Sequence, residues 1–206
     1  MENGMSRVVR YAGIAAAVLF TVAVAGFGAA LEGYLQSQYP VALLGAKGFP
    51  HALAFNLTAF VLPGMLAGVV AMDLRRRLPG DAGWPLRIGA QLVFLSALGF
   101  IAMGLLPLDP RDLESDASRF HGTAWMLWCV AFVPGACLLA AGLRRRPEWR
   151  LFARLSLLAA VVVLLAAFVL TSLIAAGIAQ RLAFGVWLGW LILAGLPRGA
   201  TLGSKP

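Results

Sequence analysis

Apolar and polar positions along this chain fall in long blocks, not in the short alternation of a half-buried strand. Six apolar blocks stand out, near Tyr11–Leu31, His51–Met72, Ile88–Leu106, Phe120–Leu143, Leu151–Ile178 and Leu182–Leu196. Each is about the length needed to cross roughly 30 Å of hydrocarbon. The pattern predicts an all-α polytopic membrane protein of six transmembrane helices. They form one domain over residues 1–206, arranged as three helical hairpins, with both chain ends on the same side. The stretch Gln36–Gly64 interrupts the pattern most strongly. Tyr39-Pro40 and the run from Gly45 to Pro50 hold too many turn formers for a continued helix. A loop therefore leads into the second span, and it carries Lys47, His51 and Asn56 to the point where the chain enters the hydrocarbon.

The first block has a second interpretation. Arg7 and Arg10 precede an apolar core, and Ala23-Val24-Ala25 has the small-x-small form of a signal-peptide cleavage site. The apolar run continues through Phe27 and Leu31, as a retained span would.

Composition agrees with the pattern: 61% of residues are hydrophobic, 13% are charged, and mean hydropathy is +0.84. Soluble domains are nearer half apolar and a quarter charged. The net charge of +8 does not point to nucleic acid, because the basic residues sit in short runs between apolar segments. Thirteen of them (Arg7, Arg10, Arg75 to Arg77, Arg87, Arg144 to Arg146, Arg150, Arg154, Arg198 and Lys205) fall on one side of the predicted spans. Four (Lys47, Arg111, Arg119 and Arg181) fall on the other. The positive-inside rule then puts both termini in the cytoplasm. Cys129 and Cys137 are eight residues apart in one span, about 12 Å along a helix. That is too far for a disulfide, which needs Cα atoms within about 7 Å.

Spans two and four resemble each other. One reads His51…AFVLPG…LRRRLP and the other His121…AFVPG…LRRRPE, with 24 and 23 residues from His to the first Arg. Parallel repeats are one explanation. The tendency of every outside-to-inside helix to end in arginines explains the triplets alone.

Candidate site residues gather at the outer ends of these spans. If spans two and four are neighbours, His51 and His121 lie at one depth, with Asp109 and Asp112 in reach. Two His and a carboxylate can hold a divalent metal, although no helical H-x-x-x-H spacing supports His51, His121 and Asp109 as ligands. Five residues turn a helix by roughly 140°, so Asn56 does not share the His51 face, whereas Thr58 does. Asn56 is read as bonding across helices or to a ligand. Gln180-Arg181 is the sharpest polar signal. Fifteen residues from Leu182 to Leu196 separate it from Pro197, a span of roughly 22 Å. That length predicts an Arg181 at the outer boundary that must snorkel, pair with Glu32, Asp109 or Asp112, or meet an anionic headgroup. A carboxylate is the expected partner. Two prolines bracket Asp109 and end the third span. Trp125, Trp128 and Phe132, like Trp187 and Trp190, have the spacing of packing or interfacial residues.

Tyr39-Pro40, Leu44-Gly45-Ala46-Lys47-Gly48, Pro50, Phe55-Asn56 and Pro63-Gly64 resemble the first outer loop and second span of the domain of unknown function 998 family. Pro107-Leu108-Asp109, His121 and Gln180-Arg181 fall where that family has a Pro-x-Asp, a His and a Gln-Arg. The resemblance covers most of the chain. It implies a six-span prokaryotic membrane protein and supplies no reaction. A distant similarity to the DRAM-related group, some of whose members act in GPI-lipid remodelling, implies a lipid context. Family members often carry Ser and Glu before the loop glycine. Leu43 and Leu44 stand there in this chain, which sets it apart from any mechanism needing a carboxylate at that place.

These observations converge on an integral protein of the bacterial or archaeal cytoplasmic membrane with an outward-facing polar pocket. The pocket is expected to bind an amphiphile or lipid headgroup through His51, Asn56, Asp109, Asp112, His121, Gln180, Arg181, Glu32 and Lys47. Membrane lipids, and not nucleic acid, are the expected partners, and the sequence leaves the cofactor open. A lipid-modifying enzyme using His/Asp chemistry, a non-catalytic scaffold and a small-solute transporter remain the alternatives.

Overall fold

The computed structural model describes residues 4–81 and 83–196, with side chains from residue 9 onward apart from residue 10. Helix α1 runs Gly4–Ala30 and leads into a loop closed by a 3-10 turn, Val41–Gly45. Helix α2, Ala52–Asn56, continues through a π-helical turn at Leu57–Val61 into α3, Leu62–Arg77. Helix α4 is Trp84–Leu105 and α5 is Asp116–Leu143. A 3-10 turn at Pro147–Trp149 opens α6, Arg150–Phe168, and another at Leu170–Ser172 follows it. Helix α7 is Ala176–Gly195. Six of these stretches are long and apolar enough to cross a membrane: Tyr11–Ala30, Ala52–Arg77, Trp84–Leu105, Asp116–Leu143, Pro147–Ser172 and Ala176–Gly195.

The six spans pack in chain order. Helix α1 packs on α3, α3 on α4, α4 on α5, α5 on α6 and α6 on α7, while α7 closes back on α1 and also touches α3. Every consecutive pair is in contact, so the packing does not single out spans one-two, three-four and five-six as units. Helix α1 buries Ala12, Ala16, Phe20 and Ala23 inside the bundle, as a retained span does.

Helix α4 is gripped on both sides by the Pro-Gly pairs of spans two and four. A side chain at Gly64 would meet the Ala97 carbonyl and the Ile101 backbone, and one at Gly135 would meet Leu92 and the Gly89 carbonyl. Small residues let membrane helices approach to backbone contact. The two prolines are accommodated differently. Pro63 lacks an N–H and crowds the carbonyl four residues back, and the π-helical turn directly precedes it. Pro134 sits inside an uninterrupted α5.

The centre of the bundle is aromatic. Phe100 stacks on Trp187 with ring centres 4.4 Å apart, and Phe184 meets Phe20 and Trp128 at 5.3 and 5.2 Å. Trp128, Phe132, Trp187 and Trp190 are all buried, so these rings are core and not an interfacial belt.

One span boundary departs from the hydropathy pattern, with consequences for the site. The fifth apolar block does not run on to Ile178. The chain turns at Leu170–Ser172, where the Ser172 hydroxyl donates to the Val169 carbonyl at 2.7 Å, and α7 begins at Ala176. The turn carries Thr171 and Ser172 but no charge, and apolar residues flank it on both sides, with Leu173 72% exposed, so the apolar run continues through it in a hydropathy reading. Helix α7 therefore has 20 residues, about 30 Å, and is not a short span. Arg181 lies in its second turn, about 8 Å from the start, not at its end.

Candidate functional site

One end of the bundle carries Arg75, Arg76, Arg77, Arg87, Arg144, Arg145, Arg146, Arg150 and Arg154, all at or beside the ends of α3 to α6. The side chains of Arg7 and Arg10, and residues Arg198 and Lys205, lie outside the described set. The opposite end holds the loops expected to form the pocket. Residues 34–41 fold over the start of α7, and Gln180 and Arg181 hold them there.

Arg181 makes five hydrogen bonds. Its Nε donates to Gln36 Oε1 at 3.1 Å, and Nη2 donates to the same oxygen and to the Tyr34 hydroxyl at 2.7 Å. Its Nη1 donates to the Tyr39 and Gly177 carbonyls, both at 2.9 Å. A guanidinium has five N–H donors, so all are used. Every acceptor is neutral. The guanidinium carbon also lies 5.8 Å from the centre of the Tyr34 ring, within the range of a cation–π contact. Beside it, Gln180 Oε1 accepts the Val41 N–H at 2.8 Å and so fixes the first residue of the 3-10 turn.

The partners are themselves tied down. The Tyr34 hydroxyl donates to the Pro40 carbonyl at 3.2 Å, and its ring stacks on Tyr39 at 5.8 Å. Burial raises the Tyr34 phenol above its usual pKa, against the opposing hydrogen bond and charge of Arg181. Gln36 Nε2 reaches across to the Val24 carbonyl of α1 at 2.9 Å, so one amide bridges α1 and α7. Gly177 N–H donates to the Gln38 carbonyl at 3.2 Å. A side chain at Gly177 would sit 2.7 Å from the Tyr39 carbonyl and 2.8 Å from that of Ser37, so only glycine lets the loop backbone rest on the helix.

This arrangement corrects the expected ion pair. Among the described residues Arg181 pairs with no carboxylate. Glu32 is exposed on the loop. Asp109 and Asp112 are spent on their own loop, where Oδ1 of each accepts the N–H two residues on, Arg111 at 3.1 Å and Glu114 at 3.0 Å. Ser118 Oγ closes the same knot, donating to the Asp112 and Asp109 carbonyls. Short polar side chains bond their neighbouring backbone in this way. Pro107 and Pro110 stop the helix as expected, but they do not aim a carboxylate at Arg181.

Neither the groove beside His51 nor the one beside Arg181 is lined by both His51 and His121. Helix α4 packs between α3 and α5, so spans two and four are not direct neighbours. His121 is buried, with Nδ1 2.8 Å from the Leu106 carbonyl. His51 is exposed, stands in the left-handed conformation at φ 57°, and starts α2. It lines an apolar groove of about 410 Å³ with Thr58, Phe27 and Val22. Thr58 shares that groove with His51, although His51 stands before the helix and Thr58 lies in the π-helical turn. No group of three or more His, Cys, Asp or Glu close enough to hold a metal occurs among the described residues, so His51, His121 and Asp109 do not converge as ligands.

Asn56 is buried, and its Nδ2 donates to the Gly45 carbonyl at 2.8 Å. It pins the 3-10 turn to the second span and does not line the His51 groove. Lys47 contributes through its backbone, whose N–H donates to the Leu108 carbonyl at 2.8 Å and joins the two loops of this end.

Next to Arg181 a groove of about 600 Å³ opens between α1 and α7. Phe20, Val24, Ala25, Gly185 and Leu188 line its apolar length, and Tyr34, Gln36 and Arg181 its polar end. The model of the family described as "Protein of unknown function (DUF998)" matches residues 14–197.

The chain belongs to the DUF998 family.

Neither the curated proteins nor the solved structures contain a match. Membership and the six apolar helices together describe a polytopic membrane protein of an uncharacterised family. The Gln-Arg pair of this DUF998 chain acts in the structure as a clip on the first loop. Sequence reading found the pair and missed its partners, Tyr34 and Gln36. The available signal was that a guanidinium can be satisfied by neutral acceptors, which the Tyr- and Gln-bearing loop supplies.

Proposed function

We propose that this DUF998 chain binds an amphiphile, a membrane lipid, in the groove between α1 and α7. The observation that supports this is an apolar channel ending at a guanidinium with no carboxylate beside it. Its donors are occupied, but its charge is not neutralised. An anionic headgroup at that end gains from this charge in surroundings of low dielectric, while its chain lies along Phe20, Val24 and Leu188. The thirteen-to-four split of basic residues favours cytoplasmic termini. The clip then faces outward from a bacterial or archaeal cytoplasmic membrane, and spans one-two, three-four and five-six enter as hairpins. A non-catalytic scaffold is the second reading, favoured by the full use of the Arg181 donors inside the protein. An acid–base enzyme has less support, since His51, His121 and Asp109 do not converge.

The test fills the groove without touching the clip. Gly185 lines the groove, and a Cβ there meets nothing within 4 Å, so Gly185→Leu adds its bulk on the groove wall. Native mass spectrometry of the purified protein should show fewer bound lipids on Gly185→Leu than on the wild type, with unfolding temperature unchanged. Equal lipid retention by both would favour the scaffold.

A further inference from the structure

A second cleft, of about 530 Å³, lies at the opposite end of the bundle between the last turns of α5 and the first turns of α6. Its walls are two helix faces read at positions i, i+3, i+4 and i+7, from Cys137 to Arg144 and from Arg150 to Leu157. Residues at that spacing share one helix face. The deep positions are small, with Ala140 and Ala153 buried, and small side chains on both walls leave the volume open. The rim is arginine: Arg144, Arg145, Arg150 and Arg154, all exposed.

These four have no carboxylate partner among the described residues. The acids of this end are engaged elsewhere or stand apart. Asp73 pairs with Arg77, which also donates to the Ala194 and Leu196 carbonyls. Asp81 pairs with Arg146 at 2.6 Å. Glu148 is exposed and pairs with none of the four. Four arginines thus line one cleft whose floor is apolar, and like charges around one cleft repel unless an anion joins them. Arginine is suited to that anion, because its planar fork matches phosphate oxygens in pairs.

We propose that this cleft is a binding site for an anionic phospholipid. The phosphate sits among Arg144, Arg145, Arg150 and Arg154, and the start of an acyl chain lies on Ala141, Ala153 and Leu157. The apolar floor favours a lipid over free phosphate, which has nothing to place there. The site is independent of the α1–α7 groove and stands at the other end of the molecule.

The test uses the full chain purified in detergent. Phosphatidylglycerol, phosphatidylcholine and inorganic phosphate are added in separate arms. Retained lipid is read by native mass spectrometry and stabilisation by the shift in unfolding temperature. Phosphatidylglycerol should be retained and should raise the unfolding temperature, and the other two should not. In the Gly185→Leu background, the pair Arg150→Gln and Arg154→Gln should lower phosphatidylglycerol retention by about tenfold or more. Ala141→Leu, which fills the cleft at unchanged charge, should do the same. The pair Arg75→Gln and Arg76→Gln removes equal charge from exposed positions at the same end, outside the cleft, and should leave retention within about twofold. Equal loss from both arginine pairs would mean diffuse attraction and overturn the site. Wild-type retention by the Arg150/Arg154 pair or by Ala141→Leu would overturn it too, and an equal shift from inorganic phosphate would overturn the lipid assignment. Gly185→Leu should remove only the lipid of the α1–α7 groove, and the retention lost with Arg150→Gln and Arg154→Gln should be lost equally in the Gly185→Leu background, which separates the two grooves.

Discussion

The Arg181 guanidinium and the Tyr34 hydroxyl meet at 2.7 Å, across 147 residues of chain. Through this contact and its neighbours, a residue in the second turn of α7 holds the loop that follows α1. The loop in turn passes to the 3-10 turn that Asn56 pins to the second span. Three spans are therefore joined at one end by polar bonds, where their apolar faces alone would leave the loop free.

Arg181→Lys should behave as a loss and not as a conservative change. A lysine offers three donors from one nitrogen and cannot reproduce the planar fork that takes Gln36 through two nitrogens. We expect about 2 kcal/mol lost for Arg181→Lys and about 3 kcal/mol for Arg181→Ala, read by thermal unfolding in detergent. Adding Glu32→Gln, Asp109→Asn or Asp112→Asn to Arg181→Ala should restore nothing, because no acid is left stranded. Rescue by one of these would identify a carboxylate partner after all.

Gly177→Ala should lift the loop from α7. The added carbon would stand 2.7 Å from the Tyr39 carbonyl, and relieving such a contact costs about 1–3 kcal/mol. The Tyr39 carbonyl is also an Arg181 acceptor, so the two losses share one cause. In a double-mutant cycle Gly177→Ala and Arg181→Lys should sum to less than the separate effects. Strict additivity would show that the clip and the backbone contact are unrelated.

Asn56→Asp should be worse than Asn56→Ala. Aspartate puts a carboxylate against the Gly45 carbonyl where an amide N–H now donates at 2.8 Å. The alanine variant should cost about 1–3 kcal/mol for the stranded carbonyl, and the aspartate variant more. Urea or thermal midpoints of the two purified variants decide the order.

Tyr34 gives a pH limit on the alkaline side. Burial raises its phenol above the ordinary value of 10.0, so the folded state holds the proton more tightly than the unfolded state does. That contribution is fully present below pH 10 and is lost as pH rises through the folded-state value. Unfolding temperature should fall above about pH 10, and the fall should be shallower in Tyr34→Phe. The same steepness in both proteins would assign the alkaline limb to other groups.

A C-terminal alkaline phosphatase fusion should be inactive and a fluorescent protein fusion bright, since thirteen of the seventeen basic residues favour the side of the termini. The reverse pair of results would place the Arg181 clip inside and the arginine cleft outside.

Hydropathy by itself determined the six spans and the separation of basic residues between the two ends, because insertion into hydrocarbon is decided segment by segment and needs no long-range contact. It also marked Gln180-Arg181, since a charge beside an apolar run must be answered locally. The boundary between spans five and six escaped it: Thr171 and Ser172 are uncharged and are followed by exposed Leu173 and Ile174, so a count of apolar residues runs through the turn as if it were helix. Tertiary structure alone decided what answers Arg181. Acids in the loops looked like the natural partners, yet Asp109 and Asp112 close onto their own backbone within two residues, and the guanidinium is satisfied by Tyr34 and Gln36 from the far end of the chain. Likewise only the packing order, with α4 between α3 and α5, separates His51 from His121. Neighbourhood between helices depends on the fit of whole faces, such as Gly64 and Gly135 against α4, and that fit is a property of two surfaces meeting, which no single segment carries.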